Sequence, residues 1–137
     1  MKIFIDTSAF IAIFVTKEKL HKDCVAKYTE YKNERAQLFT SLFILNELFT
    51  RLVYYFNKNS AEKIVKKLQD SISKEEINIL PIDEVLFKKS AETLIKFFDQ
   101  KVSLTDATTY HLFKDFALDE IFTLDSDFKK LRLPTSF

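Results

Sequence analysis

Apolar and polar residues along the chain switch between a short period and a helical one. Positions 2–5 form an apolar run broken by Asp6-Thr7-Ser8, which predicts a buried strand followed by a helix start. Leu20, Cys24, Tyr28 and Tyr31 recur at helical spacing and predict a helix over 19–35. A second strand over 37–40 precedes Ser41, which is placed to cap a helix carrying Leu42, Leu45, Leu48, Phe49, Leu52 and Tyr55. Ser60 is the expected cap of the next helix, with Ile64, Val65, Leu68 and Ile72 turned inward. A third strand over 76–80 ends at Pro81. Asp83 then starts a helix with Leu86, Ser90, Ala91, Leu94, Ile95 and Phe98 facing inward. Ser103 or Thr105 caps a helix running to about Phe116, a fourth strand follows over 120–123, and 131–133 offers a short fifth. Strands alternating with helices predict an α/β class: a three-layer α/β/α arrangement around a mostly parallel sheet of four to five strands. Such sheets bind ligands beyond the carboxyl ends of their strands, and Asp6 and Asp125 each follow a predicted strand.

Composition narrows the chemistry. At 137 residues with no repeat or linker, one domain is expected. The chain has no glycine, which excludes glycine-rich phosphate loops of the Walker and dinucleotide-binding kinds and leaves turns to Asn, Asp, Ser, Lys and two prolines. A formal charge of +1 does not by itself indicate a nucleic-acid partner, but sequestering four acids around cations would leave an excess of +5 on the remaining surface. The single cysteine, Cys24, permits no internal disulfide and fits a reducing compartment. The apolar stretch from Ala9 to Val15 is too short to cross a membrane, so the cytoplasm is the expected location.

Among twenty acids, most belong to solvated surface, and those set apart from other acids carry the information. Asp6 is the only acid before Glu18, Glu47 stands alone in the apolar LFILNELF, and Asp106 lies alone within SLTDATT. Burying an unpaired carboxylate is expensive, so three such residues require an account. Each has a structural one: Asp6 as a helix cap, Asp106 at the positive end of its helix, Glu47 paired with Arg51 one turn on. Convergence on one hollow is the alternative, and a hard divalent cation would relieve the resulting repulsion. Asp125 joins this set from FTLDSDF, where Asp127 reads instead as a turn residue. With only His21, His111 and Cys24 available, a zinc cluster is excluded, and His111 reads as structural.

The opening FIDTSAFIAIF, the mid-helix NE, the segment SLTDA and the late TLDSDF resemble, in order and spacing, the four signatures of PIN domains. Size and order are similar to the VapC-like toxins of bacterial and archaeal toxin–antitoxin pairs, over residues 3 to 131. The resemblance implies that Asp6, Glu47, Asp106 and Asp125 form an acidic quartet holding Mg²⁺ or Mn²⁺, with Ser8, Asn46, Thr105 and Thr123 as polar neighbours. It implies an endoribonuclease working through metal-activated water, an RNA substrate, a cognate antitoxin and a homodimer. Other readings within the resemblance are a stand-alone nuclease in RNA processing and a catalytically silent binding module. The chain departs from the family in lacking glycine near the last motif. Thr108-Thr109-Tyr110 is bulkier than the pattern suggests and is expected to narrow the site.

Arg51, Lys129, Lys130 and Arg132 are candidate phosphate contacts, while the fifteen phenylalanines, among them Phe49, Phe56, Phe97 and Phe98, suggest an apolar face for a partner. Two other chemistries that place acids at strand ends fit less well. A haloacid-dehalogenase-type phosphatase needs a second acid where Ser8 stands, and a phospho-receiver domain needs an early acidic pair that DTS does not supply.

Overall fold

Ile3, Phe4 and Ile5 are all fully buried, so strand β1 (Lys2–Ile5) is covered on both faces, as a central parallel strand must be. In this computed structural model, which describes residues 1–137, β1 lies between β2 (Gln37–Ser41) and β4 (Glu120–Phe122), with β3 (Ile77–Leu80) outside β2. The order is β3-β2-β1-β4 and every pair is parallel, with Ile3 opposite both Leu38 and Glu120. Helices α1 (Thr7–Phe14) and α2 (His21–Asn33) join β1 to β2, and α3 (Leu42–Tyr55) and α4 (Lys58–Ser73) join β2 to β3. Helices α5 (Glu84–Lys96) and α6 (Leu104–Asp115) lead to β4, and α7 (Asp127–Lys130) follows it. Strand order reverses between β1 and β4, which puts a topological switch point where Asp6 and Asp125 leave the sheet.

Local chemistry explains most boundaries. Asp6, Ser41, Asp83 and Ser103 each accept a backbone N–H at a helix start, as their positions predict. Ser60 does not cap α4: Asn57 does, accepting from the Ser60 amide at 2.9 Å, because an asparagine three residues earlier offers the same acceptor as soon as α3 has ended. The inner stripe of α3 is Ile44, Leu45, Leu48 and Leu52, while Leu42 and Tyr55, at its ends, face solvent. The inner stripe of α5 is Leu86, Ser90 and Thr93, which leaves Ile95 outside it, and the 3-10 turn after Lys96 (Phe98–Gln100) leaves Phe98 exposed. Phe49, Phe56 and Phe97 instead pack on the core, leaving Phe98 as the one exposed member of that group.

The fifth strand expected over 131–133 is absent. A single bridge joins Ile121 to Thr135, in which Pro134 O accepts from the Ile121 amide and Ile121 O from the Ser136 amide. Beside it the Tyr31 hydroxyl donates to Glu120 at 2.6 Å and lies 2.7 Å from the Ser136 hydroxyl, fastening the tail to α2 and to β4. Burial and the Glu120 carboxylate push the Tyr31 phenol above its usual range, so it remains a donor.

A chain without glycine must still turn out of its helices. Arg35, Glu75, Ala117 and Arg132 all have positive φ, in the left-handed region. Each is followed by an amide that reaches back five residues, as in Ala36 N to Tyr31 O and Leu118 N to Phe113 O, the paired bonding of a Schellman stop. The Asn, Asp and Ser expected to make the turns are not the residues used at these stops. A side chain with a Cβ costs about 1–2 kcal/mol in this conformation. Ala117→Gly should therefore raise stability by about 1 kcal/mol in urea melts, after allowing for glycine's looser unfolded chain. A variant no more stable than the parent would count against strain at this position.

Candidate active site

Four separated segments contribute to one cleft of about 490 Å³ at the switch point. Asp6 follows β1, Glu47 stands mid-way along α3, Asp106 sits in the first turn of α6, and Asp125 follows β4; all four line it. Thr7, Ser8, Ser103, Leu124, Ser126 and Asp127 complete the walls with two cations, Arg51 and Lys101. Sequence patterning gave no signal for Lys101. Thr7 likewise has no signal of its own beside Asp6 and Ser8.

Asp6 is the most enclosed acid, 6% exposed. Its Oδ2 accepts from the Ser8 hydroxyl at 2.7 Å, the Thr123 hydroxyl at 2.8 Å and the Ser8 amide at 3.2 Å. These hydroxyls in turn accept from the next segment: Ser8 Oγ from the Leu124 amide and Thr123 Oγ1 from the Asp125 amide, both at 2.9 Å. Burial raises the Asp6 carboxyl above its usual value, opposed by the bonds from Ser8 and Thr123 and by the Ser8 and Thr7 amides.

The other acids are tethered in the same one-sided way. Asp106 Oδ2 accepts from the Ser103 amide at 2.9 Å while Ser103 Oγ accepts from the Asp106 amide, a reciprocal capping box. Glu47 Oε1 accepts from Arg51 at 2.8 Å. Asp125 Oδ1 accepts from the Asp127 amide at 2.8 Å, so the Asx turn belongs to Asp125, and Asp127 pairs with Lys130. The structural roles open to Asp6, Glu47 and Asp106 from sequence are therefore all realised, each on one oxygen. The hydrogen bonds leave Asp6 Oδ1, Glu47 Oε2, Asp106 Oδ1 and Asp125 Oδ2 unengaged.

Electrostatics ties the cluster together. Burial pushes the Asp106 carboxyl up to about 6; the Ser103 bonds hold it down, and the charges of Asp125 and Asp6 add to the rise. Lys130 is raised by its bond to Asp127 and by the charges of Asp127, Asp125 and Asp106. As the side chains lie, no three acidic, histidine or cysteine groups are gathered closely enough to grip one ion. Glu47 is held off by Arg51, but that pair is about half exposed, and exposed pairs are worth roughly 0–1 kcal/mol, a small barrier to rearrangement. Thr7 is 2% exposed and its hydroxyl has no partner within the protein, an orphaned polar atom in the wall of the cleft.

The remaining residues singled out from sequence sit elsewhere. Asn46 and Thr105 make no side-chain hydrogen bond to any of the four acids and line an adjoining hollow. Thr108 and Thr109 do not narrow the cleft: both are fully buried and donate to Thr105 O. Lys129 and Arg132 do not line it. His111 meets the Thr93 hydroxyl at 2.6 Å, a structural contact between α5 and α6.

Asp106 holds its proton more tightly folded than unfolded, so its contribution favours the folded state in acid. That contribution is complete below its ordinary value of 3.8 and is lost as pH rises through about 6. In chelated, metal-free solution at pH 7, Asp106→Asn should exceed the parent in stability by roughly 1–3 kcal/mol. The difference should close toward pH 4. Urea melts at the two pH values measure it, and a variant weaker than the parent at pH 7 contradicts the desolvation account.

Comparison with known proteins bears on the family and the fold. The PIN domain family model matches residues 3–133. VapC20 of Mycobacterium tuberculosis, described as a sarcin-ricin loop cleaving toxin, superposes with a TM-score of 0.78 at 17% identity, over 96% of this chain and 95% of its own. FitAcB of Neisseria gonorrhoeae gives 0.72 at 19% identity, over 97% and 95% of the two chains. PAE2754 of Pyrobaculum aerophilum gives 0.60 at 15%, over 93% and 82%. A sequence search of curated proteins found no match. Below 25% identity the structural likenesses speak to fold alone, but the family model spans nearly the whole chain, and the chain belongs to the PIN domain family.

Proposed function

We propose that this chain is an endoribonuclease that hydrolyses RNA phosphodiester bonds with Mg²⁺ or Mn²⁺, and that it is the toxin of a toxin–antitoxin pair. The observation that carries the reading is the meeting of Asp6, Glu47, Asp106 and Asp125, from four distant segments, on one cleft. The donor set is all oxygen, without His or Cys, which suits a hard cation and not zinc. The unengaged oxygen on each carboxylate and the unpartnered Thr7 hydroxyl fit a guest that supplies positive charge and hydrogen-bonding water. Asp6, Asp106 and Glu47 would hold the principal ion once Glu47 turns from Arg51, with Asp125 completing the set. The ion, when bound, polarises the phosphate and lowers the pKa of a water.

The chain's own residues do the rest. Ser8 and Thr123 fix the Asp6 carboxylate so that its free edge has one orientation. Ser103 does the same for Asp106. Arg51, released from Glu47, and Lys101 on the cleft wall meet the phosphate's charge. No covalent nucleophile is required.

The antitoxin rests on the likeness in fold to VapC20, described as a toxin, and the homodimer on the family resemblance and on apolar surface. A groove lined by Leu52, Val53, Phe56, Ala61 and Val65, with Lys58, Glu62 and Lys66 at its rim, suits an amphipathic helix. No helix is long and apolar enough to cross a membrane.

Asp106→Asn should reduce Mg²⁺- or Mn²⁺-dependent cleavage of single-stranded RNA by at least about a hundredfold while circular dichroism stays that of the parent. Millimolar Mn²⁺ should raise the melting temperature of the parent and leave that of the variant nearly unchanged. Full cleavage by the variant, or equal stabilisation of both proteins, contradicts the reading.

A further inference from the structure

Beside the acidic cleft lies a second hollow of about 540 Å³, lined by Phe43, Asn46, Glu47, Thr50, Arg51, Leu104 and Thr105. Five of these fall at i, i+3, i+4, i+7 and i+8 on α3, a single stripe of that helix, and the first turn of α6 forms the facing wall. Glu47 and Arg51 line both hollows, so the two adjoin.

The apolar members of this hollow are unusual. Phe43 and Leu104 are each partly buried, yet neither belongs to the core or to the side chains packed against it. Asn46 is exposed and its side-chain amide makes no hydrogen bond, while Thr50 spends its hydroxyl on Asn46 O. The hollow thus offers an aromatic ring and an aliphatic face, an amide with free donor and acceptor, and a guanidinium on the side of the acids.

We infer that this hollow is a nucleobase subsite, receiving the base next to the scissile phosphate of a single-stranded RNA. A base presents a flat π face and an edge with adjacent donor and acceptor; Phe43 and Leu104 match the face and the Asn46 amide matches the edge. Arg51, at the junction, reaches the phosphate between base and acidic cleft. An apolar peptide would leave the Asn46 amide and the Arg51 charge unmatched at its margin. The inference rests on the nuclease reading and adds to it a determinant of sequence preference. Asn46 is a specificity residue here and touches no metal.

The test is a cleavage-site profile on a randomised single-stranded RNA, read by sequencing of the ends. The parent should prefer one base beside the cut. Asn46→Ala should flatten that preference on the order of tenfold, as loss of a two-point base contact does, and Phe43→Ala should raise KM more than it lowers kcat. Both variants should keep the parent's Mn²⁺-dependent rise in melting temperature. Parent cleavage with an unchanged profile in both variants overturns the subsite and leaves the nuclease intact. A changed oligomeric state in Phe43→Ala with an unaltered profile assigns the face to a protein contact and also overturns it. Absence of any cleavage by the parent defeats both readings at once.

Discussion

The buried carboxylate of Asp6 is the constraint from which the rest of the site follows. It stands at the end of the central strand, where withdrawing a charge from water costs several kcal/mol unless donors replace the lost hydration. Two hydroxyls and an amide supply that replacement. Because each hydroxyl has one proton to give, Ser8 and Thr123 turn their lone pairs outward, to the amides of Leu124 and Asp125. The path of the segment leaving β4 is thereby determined by an acid more than a hundred residues earlier. Asp6 positions Asp125 without touching it.

A division of labour between the two oxygens of each acid resolves the apparent rivalry between structural and chemical roles. A carboxylate has enough lone pairs to bind the fold with one oxygen and present the other to a guest. Asp6 caps α1, Asp106 closes a capping box and Asp125 makes an Asx turn, and in each case a rigid tether aims the remaining oxygen. Glu47 differs: its tether is a long, half-exposed arginine rather than backbone. Its free oxygen is the least firmly aimed of the four.

Much of this was legible in the sequence, for identifiable reasons. The apolar cores of the strands, Ile3–Ile5 and Leu38-Phe39, are legible as short apolar stretches, and caps at Asp6, Ser41, Asp83 and Ser103 follow from side-chain chemistry local to each position. Isolation from other acids marks Asp6, Glu47 and Asp106 in the sequence itself. What was not legible depends on competition or on distance. Asn57 and Ser60 are equivalent acceptors, and only the end of α3 decides between them. Phe98 keeps helical spacing on paper, but the chain tightens after Lys96, and Ile95 falls beside the stripe that Leu86, Ser90 and Thr93 share. Lys101 enters the cleft from a left-handed turn with no periodic signature, and Asn46 and Thr105 adjoin the acids in sequence while facing a different hollow.

The tail described at β4 bears on how this sheet could associate with other chains. By giving its carbonyl at Pro134 and its amide at Ser136 to Ile121, it occupies the hydrogen-bonding row that β4 would otherwise show to solvent. The Tyr31 and Glu120 contacts hold it against peeling. Of the sheet's two margins, the one at β4 is thus closed by the chain itself, and the other, β3, lies on the side away from the acids.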